Sequence, residues 1–223
     1  MRIRQLTAPL ALFAMAVAGA AFSQQNPAPA NAAKDPAKLR ARDAHQDLLV
    51  AADAWTHPED YKTSFVKKSP YDAGVVAIDV YFRNDGAVPI QLNLATVRLT
   101  ISLPKQADQN MPPLQPPVVA NYMYSKGPVN PERRRLPIGS GGGNISKDEQ
   151  KSIDELRTLQ FSSDLLPPHG TVHGLMYFDI GGHFDWISYC RLYVPDLKIM
   201  GTDKMLFFFD VPLLPPAPDS SGK

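Results

Sequence analysis

The 223-residue chain has a single cysteine, Cys190. It therefore has no internal disulfide, and the fold must rest on its apolar core. Neither sign of charge dominates, since 23 Lys and Arg stand against 22 Asp and Glu. No global field would gather nucleic acid or an anionic membrane, and neither is an expected partner. Beyond the N-terminal region no apolar run reaches the roughly 20 residues of a bilayer-spanning helix. Gly-x-Ser-x-Gly is absent, and the glycine run 139–143 lacks the Lys-Ser/Thr and the preceding strand of a phosphate-binding loop. That run reads as a linker, and Arg133-Arg134-Arg135 beside Glu132 as a solvated loop. No catalytic residue, metal site or cofactor is assigned.

What is present begins with an address. Arg2 and Arg4 precede an apolar stretch from Ala8 to Phe22, the order of a secretory signal. Ala21-Phe22-Ser23 suits signal peptidase and would leave Gln24 as the mature N-terminus, with Ala18-Gly19-Ala20 a second possible cleavage site and an uncleaved membrane anchor the alternative. The expected location is exported, periplasmic or extracellular. Residues 24–38 are rich in Ala and Pro and read as a disordered tether; 215–223 read as a tail of the same kind. Between them, 39–214 are expected to form one domain.

Alternation with period two is the main signal within that domain. Val76, Ile78, Val80 and Phe82 alternate with Ala77, Asp79, Tyr81 and Arg83, predicting a strand. Asn84-Asp85-Gly86 then predicts a hairpin turn made with positive φ. Ile90, Leu92 and Leu94 are followed by Val97, Leu99, Ile101 and Leu103 in shifted phase, which requires a bend near Ala95-Thr96. Further strands are expected over 171–180, 186–194 and 205–211. Residues 46–52 read as a strand, with a helix continuing from Lys38 as the alternative.

The middle of the chain differs. Ser146-Lys147-Asp148-Glu149 has capping-box spacing, and Ile153, Leu156 and Leu159 follow at helical period. Shorter helices are expected from Pro58 and over 118–124. Strands bracketing a helical insert at about 112–163 argue against a parallel α/β fold. The expectation is a mainly β, antiparallel β-sandwich of about seven strands with a small helical insert.

Two sets of side chains are candidates for function. Tyr81, Tyr177, Tyr189 and Tyr193 all fall on the strand faces turned away from the predicted core, with Leu175 and Phe208 beside them. They form either a patch covered by the insert or a surface for a protein or glycan. His169, His173 and Asp179 are the alternative, a metal or hydrolytic set, with His183 and Asp185 in the next turn. Cys190 alternates inward with Leu192 and Val194, as an inert buried thiol would.

Two segments also resemble exported bacterial immunoglobulin-like domains of unknown function. One is Val75 to Asn84 followed by Pro89-Ile90-Gln91-Leu92. The other is Leu166-Pro167-Pro168-His169-Gly170-Thr171 followed by Gly174-Leu175-Met176-Tyr177-Phe178. The resemblance implies an immunoglobulin-like β-sandwich outside the cytoplasm and carries no catalytic residues. The expected function is non-enzymatic binding of a cell-envelope or extracellular protein or glycan. A periplasmic hydrolase or metal-binding protein using His169, His173 or Asp179 is the alternative.

Overall fold

The computed structural model describes residues 33–65, 67–124 and 145–214. The predicted signal, most of the tether, the 139–143 and 133–135 runs and the C-terminal tail lie outside these residues. Among the described residues eleven strands and three α-helices follow in chain order. They are β1 (Arg42–His45), β2 (Leu48–Trp55), α1 (Pro58–Lys62), β3 (Val75–Asn84), β4 (Ile90–Gln91), β5 (Arg98–Ile101) and β6 (Gln109–Met111). Then come α2 (Pro116–Tyr124), α3 (Lys147–Leu159), β7 (Leu165–Leu166), β8 (Thr171–Asp179), β9 (Cys190–Val194), β10 (Lys198–Ile199) and β11 (Phe209–Pro212).

The fold is an antiparallel β-sandwich with a small helical insert. One sheet runs β1-β2-β3-β8 and the other β11-β9-β5-β6, while β10-β4-β7 form a short third ladder. The sandwich core joins Val50, Val76, Ile78, Val80, Phe82 and Phe178 of the first sheet to Leu99, Ile101, Leu192, Val194, Phe209 and Val211 of the second. These are the inward residues of the period-two pattern, and most are completely buried. On one side the sheets are tied edge to edge. The Asp210 amide donates to the Asp43 carboxylate at 3.1 Å, and the His45 and Phe209 rings stack 3.8 Å apart.

The insert forms a second core on the outer face of the first sheet. Pro58 opens α1, whose Tyr61 hydroxyl donates to the Trp55 carbonyl and accepts from the Ala77 amide, both at 2.9 Å. The Ser146 hydroxyl accepts from the Glu149 amide at 3.1 Å, starting α3 where the capping pattern predicts. Ile153, Leu156 and Leu159 of α3 and Val119, Ala120 and Met123 of α2 pack on Val75, Ala77, Leu175 and Tyr177. The edge of β8 is closed as well: Leu175 accepts from the Phe161 amide and Tyr177 from the Leu114 amide.

Several local expectations are corrected. Asn84-Asp85-Gly86 does not make a hairpin, since β4 pairs with β7 and β10 rather than with β3. Asn84 is buried; its amide donates to the carbonyls of Val88 and Pro167, and these bonds lead the chain away from the sheet. None of these three residues has positive φ; the left-handed turn lies instead at Gln46 and Asp47, with φ 51 and 58, and joins β1 to β2. Residues 46–52 are therefore turn and strand, preceded by a strand rather than a helix. The shift of phase near Ala95 is taken up by a 3-10 turn over Leu94–Thr96.

Residues 184–189 form a 3-10 helix in place of the expected strand, which starts only at Cys190. The last predicted strand likewise starts late, at Phe209, because Leu206 and Phe207 donate to the Leu197 carbonyl and the Gln46 side chain. Residues 34–38 do not behave as tether: Pro36 is buried, and the Lys34 amide donates to the Tyr81 hydroxyl at 3.3 Å.

Gly174 makes the close approach of β8 to the insert possible. A Cβ there would stand 2.6 Å from the Phe161 Cα and 2.7 Å from its amide nitrogen. Backbone atoms cannot rotate aside, so Gly174→Ala should destabilise the protein by about 2 kcal/mol or more. Urea unfolding of the two proteins side by side checks this, and equal midpoints would contradict it.

Candidate partner-binding surface

The four candidate tyrosines divide between the two sheets. Tyr177 is completely buried under α3, where its hydroxyl donates to the Leu156 carbonyl at 3.2 Å. Tyr81 is also buried, lower on the same sheet face. Its hydroxyl donates to Asp79 Oδ2 at 2.6 Å, and its ring lies parallel to that of His173 at 4.7 Å. These two therefore share no exposed patch with Tyr189 and Tyr193. The insert covers one and the segment from Lys34 to Leu39 lies against the other.

The Asp79 cluster is a polar network inside a largely apolar layer. Register places Tyr81 opposite His173 across the β3–β8 ladder, with Asp79 one step along the same face of β3. His173 Nδ1 lies 3.2 Å from Asp79 Oδ1, so both carboxylate oxygens have partners. Lys34 adds an ion pair with Asp53 at the rim. The network satisfies a carboxylate that would otherwise be buried alone at high cost.

The histidine and aspartate alternative does not assemble. His173 is bound to Asp79, while His169 sits in a left-handed turn at φ 52 with its amide donating to the Gly86 carbonyl. Asp179 lies at the far end of β8, where it caps the Gly181 amide at 2.9 Å. Six residues of strand separate it from His173, about 20 Å. Among the described residues no group of three or more His, Cys, Asp or Glu is placed to hold a metal. Cys190 is buried, and burial pushes its thiol up to about 12, away from thiolate reactivity.

The second sheet is different, because its outer face carries no covering layer among the described residues. Along β9, buried Cys190, Leu192 and Val194 alternate with exposed Arg191 and half-buried Tyr193, and exposed Tyr189 immediately precedes them. Register sets Tyr193 between Arg98 and Asp210, and Arg191 between Thr100 and Pro212. Arg191 grips Asp210 with two nitrogens, Nε at 2.8 Å and Nη2 at 2.7 Å. The Tyr193 ring lies 5.3 Å from that of Phe208, which is 54% exposed. Phe207, at 73% exposure, and Met205, at 52%, are exposed apolar side chains of the segment that leads into β11. A sheet face with aromatic and arginine side chains is suited to contact.

The alternation of β9 reveals the outward tyrosines, and Phe208 beside them was legible too. The Arg191–Asp210 clamp was missed, since only register brings residues 19 apart together. The Asp79 network was missed for the same reason, although Asp79 and Tyr81 share a phase.

No family model, curated protein or solved structure matches the chain. Among the described residues no helix is long and apolar enough to cross a membrane.

Burial raises the proton affinity of the Tyr61, Tyr81 and Tyr177 hydroxyls, reinforced for Tyr81 by its bond to Asp79. In the unfolded chain tyrosine ionises near pH 10. The native state therefore holds more protons above that pH, and stability must fall as pH rises past about 10. Urea midpoints between pH 8 and 11 should show the decline, and Tyr177→Phe should make it shallower. An unchanged slope in that variant would contradict the assignment.

Proposed function

We infer that the chain is an exported, non-enzymatic β-sandwich protein of the immunoglobulin-like kind, which binds a cell-envelope protein through the open face of its second sheet. The observation that carries this reading is the contrast between the sheets. One outer face is filled by helices and the N-terminal segment, whereas Tyr189, Arg191, Tyr193 and Phe208 stand on the other without cover among the described residues. Tyrosine, phenylalanine and arginine together match the core of protein interfaces, where a few aromatic and arginine anchors supply most of the affinity. That composition favours a protein over a glycan at this face. The sequence of Arg2, Arg4 and the apolar stretch that follows supports export.

The test is photocrosslinking in cells, with a benzophenone amino acid placed at Tyr189, at Tyr193 and, as a control on the opposite edge of the insert, at Asn121. A single envelope protein should be captured from the first two positions only. Purified with the mature chain, it should bind saturably, and Tyr193→Ala should weaken binding at least about tenfold with no change in the unfolding midpoint. Capture from all three positions alike, or undiminished binding by the Tyr193→Ala variant, would overturn the reading.

A further inference from the structure

On the open face the charges do not balance. Its strands carry Asp210 on β11, Arg191 on β9 and Arg98 on β5 as their outward charged residues. Arg191 holds Asp210 with Nε and Nη2, so that pair is closed. Among the described residues Arg98 meets only backbone carbonyls. Its Nη1 donates to the Ala95 carbonyl at 2.6 Å and to the Val97 carbonyl at 2.7 Å.

The backbone before β5 sets that side chain. The 3-10 turn over Leu94–Thr96 ends just ahead of the strand and leaves the Ala95 carbonyl within reach of the guanidinium. Both Nη1 hydrogens are used in holding the group down. Nε and Nη2 remain, and together they form the edge of the fork that matches the two oxygens of a carboxylate. Arg98 is half-buried, so its guanidinium is partly stripped of water and held in place before any partner arrives. Register sets Tyr193 directly opposite Arg98, and the Tyr193 ring lies 5.3 Å from that of Phe208. One row of the face therefore carries a cationic fork beside an aromatic pair.

We propose that the partner anchors on this face with an Asp or Glu side chain, taken by the Nε and Nη2 edge of Arg98, and an adjoining apolar residue on Tyr193 and Phe208. The proposal rests on the binding role given to the face above and adds the chemistry that the partner must bring. A carboxylate supplies the charge that Arg98 lacks within the chain. A lysine or arginine at the same point would meet like charge, so Arg98 selects between partners as well as holding one.

Random peptides displayed on phage, selected on the immobilised protein, supply the probe. Those that lose binding to the Tyr193→Ala variant are ligands of the face, and they should share an Asp or Glu next to an apolar residue. In a synthesised peptide of that set, changing the acid to its amide should weaken binding about tenfold. Arg98→Gln should cost as much, and the two changes together no more than either alone. Arg98→Lys keeps the charge but not the fork and should recover only part of the affinity. If Arg98 served only to hold the turn before β5, the two losses would add. Face peptides without an acidic residue, undiminished binding by Arg98→Gln, or additive losses would overturn this assignment and leave the face a binding surface. Selection of no peptide, or only of peptides that bind Tyr193→Ala undiminished, would overturn the binding role and this assignment with it.

Discussion

A strand buried on both faces has to satisfy every polar group it carries, and β3 sets that requirement for the rest of the molecule. It is ten residues long, and nearly all of them are buried. Its even positions, Val76 to Phe82, form the centre of the sandwich core. Its odd positions include Asp79 and Tyr81, which apolar packing alone cannot accommodate. His173 on β8 and Lys34 from the N-terminal segment supply the partners, and the Tyr61 hydroxyl closes the ladder end at Ala77.

This arrangement makes the two sheets unequal. Covering β3 requires the helices of the insert on one half of the outer face and residues 34–39 on the other half. Among the described residues those elements leave the outer face of the second sheet uncovered, with its central strands β9 and β5 presenting Tyr193, Arg191 and Arg98 outward. Arg191 and Asp210 hold each other across β9 and β11, which keeps the polar groups of that face preorganised. Among the described residues one sheet is buried on both faces and the other is covered on one, and the proposed function assigns contact to the second.

The alternations over 76–82 and 172–180 were legible because both faces of those strands repeat with period two. The helix start at Ser146 and the short helix at Pro58 were legible because caps are local chemistry. The failures share a cause. Asn84 turns the chain through bonds to Val88 and Pro167, the latter 83 residues away, and no local pattern records them. The β1–β2 hairpin uses Gln46 and Asp47 in left-handed conformations, and the pair lacks the glycine or asparagine that usually marks such a turn. For the tyrosines, phase shows that each points away from the core, but not which sheet it belongs to or what lies over it. Tyr177 and Tyr193 have the same pattern and opposite surroundings.

Tyrosine accessibility tests that asymmetry directly. Brief nitration of the folded protein, read residue by residue by mass spectrometry, should modify Tyr189 and Tyr193 readily while Tyr61, Tyr81 and Tyr177 stay unmodified until the chain is unfolded. Modification of Tyr81 or Tyr177 in the folded protein as fast as Tyr189 would mean that the first sheet is not covered, and the division between the two sheets would fail.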